Sequence, residues 1–302
     1  MPGRGKYVAG AAVAAVVGGA LFWLVTTPQP LAAVALPQHT ADLANGERLY
    51  HAAGCYSCHK PAPDLKLDDA TLPAGGAPLK TPVGTFYPPN LTPDGETGIG
   101  TMTDIAFVNA VQRGLSPEGE HLIPAFPYAS YAHMKVEDVL DIRAYLASLK
   151  PVSSPEMAPD MMLEPLVRRG VGLWKLMALH VTPWQADPAH TASWNRGAYL
   201  VNGPGHCAEC HTPRDVFMVP KTAQAFMGGA HPGGEGKVPS LHNLVESKRY
   251  TDQADVSSAL AFGEMGGYKH VSSSGMGEVQ GNISQLPQTD IDAIAEYLVS
   301  LK

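Results

Sequence analysis

The chain has 302 residues, about twice the length of a typical single domain, so a two-domain organisation is expected. Hydrophobic residues make up 45% of the sequence, which argues against disorder, while 31 Gly and 27 Pro predict long loops between rather few helices. With 21 Lys and Arg against 28 Asp and Glu the net charge is -7, which argues against a nucleic-acid-binding protein.

The N-terminal segment predicts a helix that crosses a membrane. Arg4 and Lys6 precede an apolar run over 7–25 that, at about 1.5 Å per residue, is long enough for a hydrocarbon core of about 30 Å. Positive charge before such a run keeps the N-terminus in the cytoplasm and exports the rest of the chain. The stretch Ala-Val-Ala over 33–35 also fits a signal-peptide cleavage site, but the run exceeds the usual signal core of roughly 7–15 residues. We therefore favour an uncleaved anchor over a cleaved signal for residues 1–35.

The remainder of the chain has the pattern of a tandem duplication. Cys207 follows Cys55 by 207 − 55 = 152 residues, and segment 290–302 matches segment 138–150 at the same offset. The predicted organisation is an anchor over 1–35, a first copy of the repeat over 36–150, a connector over 151–192 and a second copy over 193–302.

Each copy is predicted to be mainly helical. A short helix precedes the Cys pair, and a middle helix is expected over 103–113 and at the corresponding place in the second copy. In the helix that ends the first copy, Val139, Ile142 and Leu146 recur at spacings of three and four, so one face is apolar and needs a partner. The second copy repeats this pattern, with Thr289 as the expected N-cap.

Each copy contains one Cys-x-x-Cys-His motif, and the two motifs use all four cysteines of the chain. Both thiols of such a motif can add to the vinyl groups of haem, and the adjacent His then coordinates the iron. A disulfide, a redox-active dithiol or half of a zinc site would use the same residues. Zinc would require the two pairs to lie close in space, whereas each pair opens its own copy. The sequence therefore predicts two covalently bound haem c groups, attached through Cys55, Cys58, His59, Cys207, Cys210 and His211.

A sixth iron ligand is expected opposite each His, and Met is common in electron carriers because its thioether raises the reduction potential. In the second copy, Met276 in a glycine-rich loop before the terminal helix is preferred over Met265. In the first copy the preferred ligand is Met134, whose alternative role is apolar packing just before the helix. The other possibilities for the first iron are His121, His133, Met102 and an open coordination site.

Three further side chains near these motifs have predicted roles. Arg214, three residues after His211, either reaches a haem propionate or lies in solvent. Trp174 and Trp184 are expected to anchor the connector, which would then pack on both copies.

Four segments carry a resemblance to a known family, and they read Asn-Leu-Thr-Pro-Asp-Gly-Glu-Thr-Gly-Ile-Gly (90–100), His-Leu-Ile-Pro-Ala-Phe-Pro-Tyr-Ala-Ser-Tyr (121–131), Trp-Asn-Arg-Gly-Ala-Tyr-Leu (194–200) and His-Cys-Ala-Glu-Cys-His-Thr-Pro-Arg-Asp (206–215). Together they resemble the cytochrome c subunits of membrane-bound bacterial alcohol, gluconate and aldehyde dehydrogenases, and their diheme relatives. The resemblance covers almost everything after residue 40. Those subunits typically carry three haems and often have Met-Pro-Tyr where this chain has Phe126-Pro-Tyr128.

The expected fold is mainly α, with two tandem cytochrome c domains and long loops after one N-terminal transmembrane helix. The predicted function is electron transfer by a diheme cytochrome c tethered to the bacterial inner membrane, with its haem domains on the periplasmic side. The donor would be a periplasmic or membrane-bound dehydrogenase, and the acceptor would be quinone, a soluble cytochrome or a terminal oxidase of the respiratory chain.

No acid/base pair, nucleophile or nucleotide-binding loop stands out, which favours an electron carrier over an enzyme. Two alternatives remain open. A diheme enzyme such as a cytochrome c peroxidase would need one iron open to its substrate. A structural subunit that anchors a partner to the membrane is compatible with electron transfer, but would not by itself explain two haems.

Overall fold

The structure is a computed structural model that describes residues 4–81, 84–233, 236–263 and 275–302. In these ranges the chain is mainly helical, as predicted, with two short antiparallel hairpins. The hairpins pair β1 (Leu79–Thr81) with β2 (Gly84–Phe86) and β3 (Gly229–Ala230) with β4 (Lys237–Val238).

The helices follow the order expected for an anchor and two copies. Helix α1 covers Arg4–Val25. The first copy contains α2 (Leu43–Ala52), α3 (Cys55–Cys58), α4 (Asp104–Arg113), α5 (Tyr128–Tyr131) and α6 (Val136–Ser148). The connector contains α7 (Glu164–Ala178). The second copy contains α8 (Ala192–Asn202), α9 (Ala208–His211), α10 (Gln253–Phe262), α11 (Gly275–Ile283) and α12 (Gln288–Ser300).

In each copy the helix before the Cys motif crosses the helix that ends the copy, so that α2 packs on α6 and α8 packs on α12. A glycine lies at each crossing. A Cβ atom on Gly46 would collide with the backbone carbonyl of Asp141, and one on Gly197 would collide with that of Ala293. The two carbonyls are 293 − 141 = 152 residues apart, so the closing helices use equivalent positions, while the two glycines are 197 − 46 = 151 residues apart. The close approach lets the predicted apolar faces of α6 and α12 become buried.

The buried apolar residues form one cluster that includes both copies. It contains Leu49 and Leu146 from the first copy together with Leu200 and Leu298 from the second. These four side chains are at most 5% exposed. The copies are therefore packed against each other rather than held apart by the connector.

Two expectations about helices need correction. Helix α12 begins at Gln288, and its N-cap is Pro287 rather than Thr289. The Pro287 carbonyl accepts from the backbone N–H groups of Asp290 and Ile291, so the helix starts before the threonine. Helices α7 and α11 were not predicted, since Pro, Met and Gly residues obscure the helical pattern in both segments.

Helix α1 matches the predicted apolar run. Residues Tyr7–Val25 have a mean hydropathy of 2.2 and none of them is buried. By length and composition this helix is able to cross a membrane. Its last turn leads to Thr26, which is buried and whose carbonyl lies 2.8 Å from Nε2 of His121.

The helix crossing in the second copy yields a testable prediction. Gly197→Val should lower the free energy of unfolding by about 1–3 kcal/mol, because the added carbons force α8 and α12 apart. Thermal unfolding of the haem-loaded chain checks this. The matched control is Gly281→Ala in α11, where nothing lies within 4 Å of the new Cβ. That change should raise stability by up to about 1 kcal/mol because Ala favours the helix. Equal effects of both substitutions would contradict the role given to the crossing.

Candidate haem-binding sites

The first Cys-x-x-Cys-His motif forms one helical turn. Gly54, in the left-handed region at φ 60°, ends the preceding segment, and α3 then carries both free thiols. His59 follows and is 9% exposed, and its Nδ1 lies 2.7 Å from the carbonyl oxygen of Pro89. A carbonyl only accepts, so Nδ1 carries the proton and Nε2 has a free lone pair. Nε2 forms no hydrogen bond to any residue that the structure describes.

The second motif repeats this geometry. His211 ends α9, is 8% exposed, and has its Nδ1 2.8 Å from the carbonyl oxygen of Pro239. Burial lowers the pKa of His59 to about 4 and also lowers the pKa of His211. Both imidazoles are therefore neutral near pH 7, which is the form that ligates a metal.

Each histidine is also held through its backbone. The N–H groups of Gly75 and Gly228 donate to the carbonyls of His59 and His211, at 2.9 Å and 2.7 Å. Both glycines have positive φ, at 69° and 74°. A Cβ on either glycine would collide with the backbone of the proline whose carbonyl orients the histidine, Pro89 in the first copy and Pro239 in the second. In each copy, a glycine with positive φ therefore allows the proline segment to pack closely against the histidine whose ring the proline carbonyl orients.

Sequence reasoning missed these orienting groups. Pro89 lies 89 − 59 = 30 residues after His59, and Pro239 lies 239 − 211 = 28 residues after His211. A proline at nearly the same distance after both motifs is a signal that the repeat comparison could have found. Hydrogen bonding from the second imidazole nitrogen fixes the tautomer and ring orientation of a metal ligand.

The raised pKa values of the buried cysteines argue against a role as reactive thiolates. Burial raises the pKa of Cys55 and of Cys207 to about 12, so both stay protonated at neutral pH. Among the described residues, no three or more His, Cys, Asp and Glu side chains lie close enough together to hold a metal ion. Two free thiols beside a neutral, oriented imidazole are the donor set that covalently bound haem requires, and the residues present fit it.

The predicted sixth ligands lie in different settings. Met134 is fully buried between α5 and α6, and its Cγ lies 3.4 Å from the position that a Cβ on Gly203 would take. Met276 is half-buried in the first turn of α11, whereas its neighbouring glycines predicted a loop. Met265 lies outside the described residues. The assignment of Met134 and Met276 as iron ligands stays a prediction.

The histidines considered for the first iron have other partners. His121 meets the carbonyl of Thr26 at the end of the apolar helix. His133 has its Nδ1 3.1 Å from the carbonyl of Thr182 in the connector. Each ring therefore has one nitrogen engaged in a contact that holds segments together.

Both motifs lie at the contact between the copies, nearer to each other than their separate places in the repeat indicated, and each is bonded to the other copy through equivalent residues. Asn282 Nδ2 in α11 donates to Ser57 Oγ, between the cysteines of the first motif, at 2.7 Å. Ser130 Oγ in α5 donates to Glu209 Oε1, between the cysteines of the second motif, at 2.8 Å. The offset of 152 relates Ser57 to Glu209 and Ser130 to Asn282. The contact is thus isologous: exchanging the copies exchanges the two hydrogen bonds.

Tyr131 fills the space between the two motifs. It is 5% exposed, its hydroxyl donates to the carbonyl of Ala53 at 2.9 Å, and its ring meets the edge of His206 at 5.8 Å. Burial raises the pKa of Tyr131 well above its usual range, so the hydroxyl stays a donor. An aromatic ring from the first copy therefore contacts the residues just before both Cys pairs.

Arg214 does not lie in solvent, since its side chain is only 14% exposed and is paired with Glu209, while its contact with a haem propionate stays a prediction. It also donates to the backbone carbonyls of Glu209 and Met218, at 2.9 Å and 2.7 Å. The carboxylate of Glu209 therefore joins Arg214 on its own copy to Ser130 on the other.

Three further contacts hold the copies and the connector together. Lys60 and Glu278 form an ion pair between the copies at 2.5 Å. The connector contributes Trp174, whose ring lies edge-on to Tyr128 in the first copy at 6.1 Å. Trp184, also in the connector, lies at 6.1 Å from the ring of Tyr199 in the second copy. The two tryptophans thus contact different copies, as predicted.

Loss of the Glu209 carboxylate should destabilise the contact between the copies. Glu209→Ala leaves Arg214 without its carboxylate and Ser130 without its acceptor, so the free energy of unfolding should fall by about 1–3 kcal/mol. Denaturant unfolding measures the change. As the control, Glu246→Ala removes a carboxylate whose pair with Lys302 is well exposed, which should cost less than about 1 kcal/mol. A loss no larger for Glu209→Ala than for the control would contradict this network.

Comparison with known proteins adds an independent line of evidence. Residues 43–150 match the family model of cytochrome c. The chain is 36% identical over 295 residues to a diheme cytochrome c-type protein of Cereibacter sphaeroides, covering 98% of this chain and 97% of that protein. It is 33% identical to the fructose dehydrogenase cytochrome subunit of Gluconobacter japonicus, covering 91% of this chain and 55% of that protein. It is also 33% identical to the gluconate 2-dehydrogenase cytochrome c subunit of Pantoea cypripedii, covering 86% of this chain and 60% of that protein.

Proposed function

Because this chain belongs to the cytochrome c family, among the diheme cytochromes and the cytochrome subunits of dehydrogenases, we propose that it is a membrane-tethered diheme carrier of electrons. Several relatives are cytochrome subunits of fructose, alcohol and gluconate dehydrogenases, so we propose for this chain a role in electron transfer and not in catalysis. We propose a dehydrogenase as its electron donor, on the strength of those relatives. Quinone, a soluble cytochrome or a terminal oxidase of the respiratory chain is the proposed acceptor.

The observation that carries this proposal is the repeated geometry of the two motifs, each with two free thiols and a buried histidine oriented by a proline carbonyl. Bound haem supplies a one-electron iron couple. The chain's own part is to attach the haems, orient the histidines that ligate iron and shield the haems from solvent. In our proposal Cys55 and Cys58, like Cys207 and Cys210, form the covalent attachments, while Nε2 of His59 and His211 ligates iron.

The remaining proposals concern the reduction potentials of the haems, the domain boundaries and the position of the chain at the membrane. Met134 and Met276 are proposed as the sixth ligands, which would raise both potentials and close the irons to small molecules. The proposed domains are the first copy over 36–150 and the second copy over 193–302, joined by the connector over 151–192. Helix α1 is proposed as the anchor in the bacterial inner membrane, which places both copies in the periplasm.

The test of this function is spectroscopic. The full chain, matured with haem and purified in detergent, should contain two covalent haems per polypeptide and show two low-spin irons by EPR and optical spectra. A redox titration should show two reversible one-electron steps. A stable high-spin iron that binds cyanide and turns over peroxide would instead support a diheme peroxidase, and a haem count other than two would contradict the proposal.

A further inference from the structure

Helix α7 (Glu164–Ala178) is fixed to the first copy along one face. Val171, Gly172 and Lys175 are buried on that face. The ammonium group of Lys175 donates to the backbone carbonyls of Arg113 and Gly114, at 2.6 Å and 2.7 Å. These bonds cap the C-terminal end of α4, so α7 has a defined rotation about its own axis.

The opposite face of α7 is apolar and exposed. Leu166, Leu173 and Met177 lie on it, with exposed fractions of 58%, 41% and 47%. At 100° per residue these three positions fall within about 40° of one another and on the far side of the helix from Lys175. Leu176, about 60–100° round the helix from these three positions, and Met162, just before the helix, are also exposed, at 63% and 83%. This apolar stripe is unusual in a helix whose inner face is already packed.

The apolar stripe lies beside the point where the apolar helix α1 ends. The guanidinium of Arg169 stacks over the ring of Trp23 at 4.4 Å and donates to the Trp23 carbonyl and to Thr27 Oγ1. Gly172 approaches so closely that a Cβ there would lie 2.7 Å from the Cβ of Thr26. Within the described part of the chain, these contacts come from the last turn of α1 and the residues just after it. Any bilayer crossed by α1 therefore ends near the middle of α7.

We propose that α7 lies on the outer surface of the membrane, with Leu166, Leu173 and Met177 inserted at the boundary between headgroups and acyl chains. This inference rests on the proposed anchor role of α1. The partner is the bilayer because the stripe continues the apolar surface of α1 at its exit and is held there by Arg169 and Trp23. Amphipathic helices with such a face bind at this depth. The first copy is then held at two points and keeps a fixed height and orientation above the membrane.

Spin labelling of the full, haem-loaded chain in liposomes of phosphatidylcholine and phosphatidylglycerol tests this arrangement. Haem attachment uses all four native cysteines, so Leu173→Cys and Met177→Cys each introduce a single labelling site. The exposed α12 residue Thr289 serves as the aqueous control through Thr289→Cys, and Val16→Cys reports on α1 itself. With both irons reduced, we measure the collision rates of each label with oxygen, which concentrates in lipid, and with a water-soluble nickel chelate.

The expected result is that labels at positions 173 and 177 show an oxygen-to-nickel ratio severalfold higher than the label at position 289. If the label at position 16 has the high ratio of a lipid site, but the labels at positions 173 and 177 have the same ratio as the label at 289, then α1 is an anchor and the proposed placement of α7 on the membrane is wrong. If position 16 also matches 289, the anchor itself has failed. Protection of 173 and 177 from both reagents would show that protein covers the stripe and would also overturn the inference.

Discussion

A chain carrying both Cys55→Ala and Cys58→Ala should hold one covalent haem instead of two. The two motifs are separate in sequence and each has its own histidine and orienting proline, so the second attachment does not depend on the first. A chain carrying both Cys207→Ala and Cys210→Ala should also hold one covalent haem, attached at the first motif. Mass spectrometry of the denatured chain counts the haems directly, because thioether bonds survive unfolding.

Ser57→Ala is the matched control for that experiment. Ser57 lies between the two cysteines and accepts a hydrogen bond from Asn282, but it supplies no bond to haem in this proposal. This variant should keep both haems. Retention of two covalent haems by the Cys55→Ala, Cys58→Ala chain would refute the attachment residues. Loss of both would show that attachment at one motif depends on the other.

The second large effect concerns reduction potential. Met276→Leu should lower the potential of one iron by a substantial part of the roughly 0.8 V range that axial ligands set. Leu removes the sulfur while keeping a side chain of similar volume, so the packing cost should stay below about 1.5 kcal/mol. A potentiometric titration followed by optical spectra should show one step displaced and the other unchanged.

Met134→Leu separates the two roles available to the first methionine. If Met134 ligates iron, this change should displace the other redox step and create a high-spin signal. If Met134 is only a buried packing residue, both potentials should stay, and Met134→Ala should lower the free energy of unfolding by about 2–5 kcal/mol. Met162→Ala in the connector, where the side chain is 83% exposed, should change neither quantity.

The features predicted correctly from sequence are those encoded locally. The apolar run over 7–25 specifies α1, and the spacing of Val139, Ile142 and Leu146 specifies α6, since a helix places residues three and four apart on one face. Each Cys-x-x-Cys-His motif is local as well, because its two cysteines and its histidine lie within about one helical turn.

The features missed depend on distant parts of the chain. The carbonyls of Pro89 and Pro239 meet their histidines only after a long loop folds back, which no local pattern encodes. The glycines beside Met276 favour a loop, but packing of α11 against α2 and α10 allows a helix there. Helix α7 was missed because Pro165, Gly170 and Gly172 interrupt its apolar pattern, while packing of its inner face on the first copy stabilises the helix.

The isologous contact between the copies also has the form of a dimer interface. A surface complementary to its own duplicate is what a symmetric homodimer possesses, so the two copies are paired within one chain as two molecules are paired in such a dimer. Fusion makes that pairing intramolecular and independent of protein concentration. It also allows the two equivalent loops to differ in sequence. The position of Ser57 in one loop is occupied in the other by Glu209, which is paired with Arg214, so the two halves of the contact carry different charged groups.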